Sequence, residues 1–229
     1  MALWAIVPGE PLRGVKEPFY DVLTDGEYER LNEYLLENTI KTLTEEPKIA
    51  DVLVCNRDPT ALTVARKFGA RTLKEDGTPG LNIALERATA VAQTYGICGV
   101  LIIPADLPLL TAENIKLLVE NVDDPPSVKI VPDRRSQGTN ALLIRPAGLF
   151  EYQYGENSFE KHCEAARTAG ASLEICELPS LALDVDSPED LALAEKELGI
   201  GFWENNTELA EQVKESDETE EERRYSGYY

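Results

Sequence analysis

The sequence predicts an α/β sandwich built on a largely parallel sheet. Three observations point there. Short apolar runs of strand length alternate with segments whose apolar residues recur at helical spacing. Proline, glycine and capping residues separate them, and the connections are short. A chain of 229 residues, 43% of them hydrophobic, is long enough to bury a sizeable core.

Leu3–Val7 is an apolar run stopped by Pro8-Gly9, hence a buried first strand. A loop with Pro11, Gly14 and Pro18 follows. Thr24 and Glu27 have capping-box spacing, and Leu31, Leu35, Leu36, Ile40 and Leu43 continue as one helical face. Asp51–Cys55 is a strand, and Asp58-Pro59 starts a helix that runs to Phe68. Arg71–Leu73 is a short strand, and Gly80–Tyr95 a helix with Leu81, Ala84, Leu85 and Ala88 on one face. Gly99–Ile103 is a strongly apolar strand stopped by Pro104, and Thr111 caps a helix to about Glu120. Ser127–Val131 and Ala141–Ile144 are two more apolar strands. Asn157–Ala169 is a helix, Ala171–Leu178 a strand and Ser187–Leu198 the final helix.

One α/β domain is therefore expected over 1–201. Residues 202–229 differ: Trp203–Tyr229 carries nine acids against three bases, and Glu215–Arg224 has no apolar period. That composition is expected to form a flexible acidic tail.

Composition excludes several functions. A net charge of −20 argues against a general nucleic-acid binder. No apolar run has membrane-spanning length, and Met1–Trp4 lacks a basic signal-peptide region, so a cytoplasmic protein is expected. Cys55, Cys98, Cys163 and Cys176 form no C-x-x-C pair, which speaks against zinc and against a disulfide framework. His162 is the single histidine and reads as a polar residue on a helix.

In open α/β sheets ligands gather at the carboxyl ends of strands, and four such places carry unusual residues. The loop Pro8–Lys16 nearly forms a P-loop, but Val15 precedes Lys16 and Glu17 stands where a Ser or Thr is needed. It still offers glycines, Arg13 and Lys16 to phosphates, or it is an ordinary turn. Asp106 follows a buried strand between Pro104 and Pro108, suiting either magnesium or a turn hydrogen bond. Asp184 and Asp186 point to the same face of an extended segment, where a divalent cation relieves their repulsion. Ser187-Pro188-Glu189-Asp190 is a helix start that accounts for itself. Finally, Asp133–Asn140 is a polar loop between two apolar strands, and Gly155–Ser158 opens a helix. Loop and helix start are each explicable structurally, or together hold an anion.

Together these residues resemble the guanylyltransferases of coenzyme F-420 biosynthesis, which act on 2-phospho-L-lactate or phosphoenolpyruvate. The resemblance runs from Trp4 to about Leu198. It rests on P-A-D-L-P-L at Asp106, D-R-x-x-x-G-T-N-A-L at Asp133–Leu142, G-x-x-S-F at Gly155–Phe159 and L-D-V-D-x-P-E-D at Leu183–Asp190. The segment Gly80-Leu81-Asn82 also looks like the family's nucleotide side.

The resemblance implies a GT-A-like nucleotidyltransferase fold, a three-layer sandwich with a mixed, mostly parallel sheet. It implies that Asp106, Asp184 and Asp186 hold Mg2+, with Asp106 and Lys16 at the catalytic centre. Thr139, Gly155 and Ser158 would contact the phosphorylated acid; Arg13, Lys16, Gly80 and Asn82 would contact GTP. A downstream transferase is implied as the recipient of a labile product, and a homodimer is compatible with the resemblance. The chain departs from the family's K-[ST]-R-L with Lys16-Glu17-Pro18-Phe19, and has Glu10 and Ser136 where relatives often carry lysine and glycine. Two alternatives follow: a same-fold nucleotidyltransferase with another nucleotide or acceptor, and an acid-binding partner protein with impaired catalysis.

Overall fold

The computed structural model describes residues 2–122, 124–199 and 201. The expected acidic tail, 202–229, lies outside the described residues. Among the described residues seven strands form one sheet: β1 (Leu3–Pro8), β2 (Ile49–Asn56), β3 (Arg71–Lys74), β4 (Gly99–Ile102), β5 (Ser127–Pro132), β6 (Thr139–Arg145) and β7 (Ser172–Ile175). Their order is β3-β2-β1-β4-β6-β5-β7. β6 pairs antiparallel with β4 and with β5, while β1–β2, β1–β4, β2–β3 and β5–β7 pair parallel. The described residues also form six α-helices between and after the strands: α1 (Asp25–Thr44), α2 (Pro59–Lys67), α3 (Leu81–Thr94), α4 (Ala112–Val119), α5 (Ser158–Thr168) and α6 (Pro188–Leu198).

The period-2 geometry of a strand sends β1 side chains to both faces, and all six are buried. Leu3, Ala5 and Val7 pack with α1, α2 and α4 through Leu36, Ile40, Leu62 and Ile115. Trp4 and Ile6 pack on the opposite face with α3 and α5 through Leu85, Ala88, Cys163 and Ala166. Helices therefore cover both faces of the sheet, giving three layers. Truncating a fully buried member such as Ile40 to alanine is expected to cost about 2–5 kcal/mol. A third cluster joins Phe19, Tyr28 and Leu31 to Leu183, Val185, Leu191 and Ala194, tying the loop after β1 to the approach of α6.

The helix starts follow their local chemistry. Thr24 and Glu27 form the reciprocal capping box, and Ser187 accepts from the Asp190 N–H at 3.3 Å with Pro188 in the first turn. The last strand is shorter than its apolar pattern, Ser172–Ile175 rather than Ala171–Leu178, because β7 is a half-exposed edge. Among the described residues no helix is long and apolar enough to cross a membrane.

Candidate active site

The carboxyl ends of β1, β2 and β4 open into one cleft of about 630 Å³. Antiparallel β6 brings its first residue, Thr139, to that same edge, because Leu142 pairs with Ile102 near the end of β4. The cleft collects Lys16, Gly80, Asp106, Thr139, Gly155, Ser158, Asp184 and Asp186 from segments far apart in sequence.

The acidic centre joins two chain segments through backbone: the Val185 N–H donates to the Asp106 carbonyl at 3.0 Å. Leu183 and Val185 are buried in the third cluster, so alternation turns Asp184 and Asp186 away from it. Burial, then repulsion from Asp186 and Asp184, pushes the Asp106 carboxyl up to about 7, with Lys16 opposing. Burial and Asp186 also raise Asp184, against hydrogen bonds from backbone and Asn140. Lys16 Nζ lies 2.9 Å from Glu10 and 3.5 Å from Asp186. Burial lowers the lysine's pKa, but these two carboxylates outweigh it and the net shift is upward.

Among the described residues no three Asp, Glu, His or Cys side chains converge as a metal cage. Mg2+ needs no such cage. It is held through one or two carboxylates, water and substrate phosphates. Three electrostatically coupled carboxylates lining one cleft fit that requirement, and Asp106, Asp184 and Asp186 are the candidate oxygen donors.

The loop after β1 is pinned to the end of β2. Asn56 donates from Nδ2 to the Glu10 carbonyl at 2.8 Å, and the Leu12 N–H donates to Asp58 at 3.1 Å. Gly9 is required there, since a Cβ would meet Asn56 Nδ2 at 2.8 Å. The Glu17–Phe19 segment forms a short 3-10 helix whose Phe19 is buried against Tyr28. Phe19 thus anchors this segment to the start of α1. Arg13 does not line the cleft; it is exposed and pairs with Glu29 at 2.7 Å.

On the β6 side, Thr139 and Ser158 are buried with their hydroxyls 3.3 Å apart. His162, fully buried, sits behind them with Nδ1 3.0 Å from Thr139 and Nε2 3.0 Å from the Gln153 N–H. The α5 start is less open than its sequence suggested. The Ser158 N–H bonds to Gly155 and the Phe159 N–H to Gln137, because Asn157 takes a left-handed turn with φ 55°. Those two N–H groups are therefore already paired, which leaves the Thr139 and Ser158 hydroxyls as the candidate groups there. Arg134 is paired with Asp190, outside the cleft lining, and Asp133 accepts from the N–H groups of Arg135 and Gln137. Ser136 has φ 53°, a left-handed conformation that glycine adopts more readily. Asn82 binds both backbone groups of Tyr154, at 3.1 and 2.8 Å, and so fixes the segment before α5 rather than lining the cleft.

The family model described as guanylyl transferase CofC like matches residues 3–197. The chain belongs to this family. It is 38% identical over 202 residues to a phosphoenolpyruvate guanylyltransferase of Rubrobacter xylanophilus, covering 88% of this chain and 98% of that one. It is 31% identical to a 2-phospho-L-lactate guanylyltransferase of Methanocaldococcus infernus, covering 81% of each. A nucleotidyl transferase from Methanothermobacter shares the fold, with a TM-score of 0.63 at 15% identity, over 86% of this chain and 98% of that one. The fold brings Asp106, Thr139, Gly155, Ser158, Asp184 and Asp186, one or more from each of the four sequence stretches, to one cleft. Asn56, Glu75 and Tyr154 also line it, and no local motif announced them.

Proposed function

We propose that this member of the CofC-like family joins GTP to a small phosphorylated carboxylic acid and releases pyrophosphate. Phosphoenolpyruvate, 2-phospho-L-lactate and a phosphoglycerate are the acids in question, and the product enters coenzyme F-420 biosynthesis. The single observation that carries this reading is the convergence of the carboxylates, Lys16 and the Thr139–Ser158 hydroxyl pair on one cleft.

In the reaction an acid phosphate oxygen forms a bond to the α-phosphorus of GTP, and the α–β bridging bond breaks. The pair of electrons leaves with pyrophosphate. A phosphate with a second pKa near 6 is largely dianionic at neutral pH, so it needs no general base. Thr139 and Ser158 orient the acid, and Lys16 offers charge to the triphosphate. Mg2+ bound at Asp106, Asp184 or Asp186 supplies charge neutralisation and Lewis acidity. The need is physical: five carboxylates but only two cations, Lys16 and Arg57, line a cleft proposed for two anions. The reaction runs in the cytoplasm, with hand-off of the labile product to a downstream transferase.

Phosphorus NMR of the purified chain with GTP, Mg2+ and each acid, with that transferase present, tests the reading. Conversion of one acid's phosphate monoester into a phosphoanhydride joined to GMP, with release of pyrophosphate, supports it; unreacted GTP with all three acids overturns it.

A further inference from the structure

We infer that Glu75 reads the Watson–Crick edge of guanine and sets the base specificity of the enzyme. The inference rests on the guanylyltransferase reading and deepens it.

The cleft has two halves along the sheet. Thr139 and Ser158 occupy the β6 side, and the aspartates sit at the end of β4. If the acid takes the β6 side, the nucleotide takes the β1-β2-β3 side, with its phosphates toward the aspartates and its base beyond. There the cleft is lined by Asn56, Arg57, Glu75 and Gly80. The α1 flank offers Leu31, Leu35 and Leu36 but no carboxylate.

Glu75 follows β3 directly, and its N–H extends the ladder to the Asn56 carbonyl at 3.0 Å. That fixes its backbone at the wall. Its side chain is only 13% exposed, and its ion pair with Arg57 spans 3.6 Å, too long for a hydrogen bond. Arg57 itself donates to the Gly77 carbonyl at 3.0 Å. Burial raises the Glu75 pKa against the pull of Arg57 and Arg87, as for a carboxylate with incomplete local compensation.

A carboxylate has acceptors only. Guanine presents two adjacent donors, N1–H and N2–H, which two carboxylate oxygens match. Adenine and cytosine each present a ring-nitrogen acceptor there and are repelled. Inosine keeps N1–H but lacks the 2-amino group. Xanthine keeps N1–H but replaces that donor with an acceptor.

The test is steady-state turnover of the full chain with GTP, ITP and XTP, in the parent and in Glu75→Gln. The parent should prefer GTP to ITP by about tenfold to a hundredfold in kcat/KM, the span of one charge-assisted hydrogen bond. In Glu75→Gln the GTP:ITP ratio should fall to within about threefold, and XTP should become a better substrate than in the parent. The KM for the acid should not change, which a misfolded variant cannot reproduce. A parent that uses ITP as well as GTP overturns the inference, without recourse to any variant. So does a variant that keeps the parent's preference and gains no XTP activity. If the parent turns over no nucleotide at all, the guanylyltransferase reading falls first and the inference falls with it.

Discussion

His162 holds the Thr139 hydroxyl in a fixed role. The Gln153 N–H donates to Nε2, so Nδ1 carries the ring proton and donates to Thr139 Oγ1 across 3.0 Å. Ser158 Oγ also donates to that oxygen, at 3.3 Å, so the Thr139 hydroxyl accepts twice and keeps its own proton to offer a substrate oxygen. His162→Phe should raise the KM for the acid by several-fold to tenfold, the value of one hydrogen bond, while leaving the KM for GTP within about twofold. Initial rates against each substrate measure both.

The same residue predicts a pH effect on stability. Burial, with a smaller contribution from Lys161, pushes the His162 pKa down to about 4. Between about 4 and the ordinary value near 6.5 the unfolded chain binds the proton and the folded chain does not. The neutral histidine's contribution is therefore intact above pH 6.5 and lost as pH falls toward 4, by up to about 3 kcal/mol. Urea midpoints from pH 7 to pH 4 should fall less steeply in His162→Phe than in the parent.

The two cations of the first loop should behave differently. Lys16 contacts Glu10 and Asp186 in the cleft, whereas Arg13 pairs with Glu29 outside it. Lys16→Ala should weaken GTP binding by about tenfold to a hundredfold, and Arg13→Ala by less than about threefold. Calorimetric titration with GTP and Mg2+ distinguishes them. Equal losses would bring Arg13 back to the triphosphate.

The carboxylates should govern metal use. Asp184→Asn should raise the Mg2+ concentration needed for half-maximal rate by at least about tenfold. Helix content should persist, because the Ser187 cap of α6 is untouched. Turnover with unchanged Mg2+ dependence would remove Asp184 from the metal site.

Much of the fold is written locally. Thr24–Glu27, Asp58-Pro59 and Ser187-Pro188 each announce a helix start, and each starts one. The direction of β6 was not read, although its signal exists. Only 133–138 separate β5 from β6, too few residues for a parallel crossover. Both strands are buried and apolar, so their pattern alone does not report direction. Site residues embedded in motifs, such as Asp106 and Ser158, were legible as candidates and lie together in the cleft. Residues that act through packing were not. His162 looks like any polar helix residue until α5 is laid over β6, and Glu75 is one of 42 acids until β3 is placed beside β2. Asn82 resembles a nucleotide-side residue by sequence, yet its amide is bound to Tyr154.

The central claim is that this cleft transfers guanylyl to a phosphorylated acid, and pyrophosphate release tests it most directly. The purified chain is supplied with GTP and Mg2+, with and without each of the three acids. Release that requires GTP, Mg2+ and one particular acid is the predicted result. GTP binding with no pyrophosphate from any acid would contradict it and leave a binding protein in the enzyme's place.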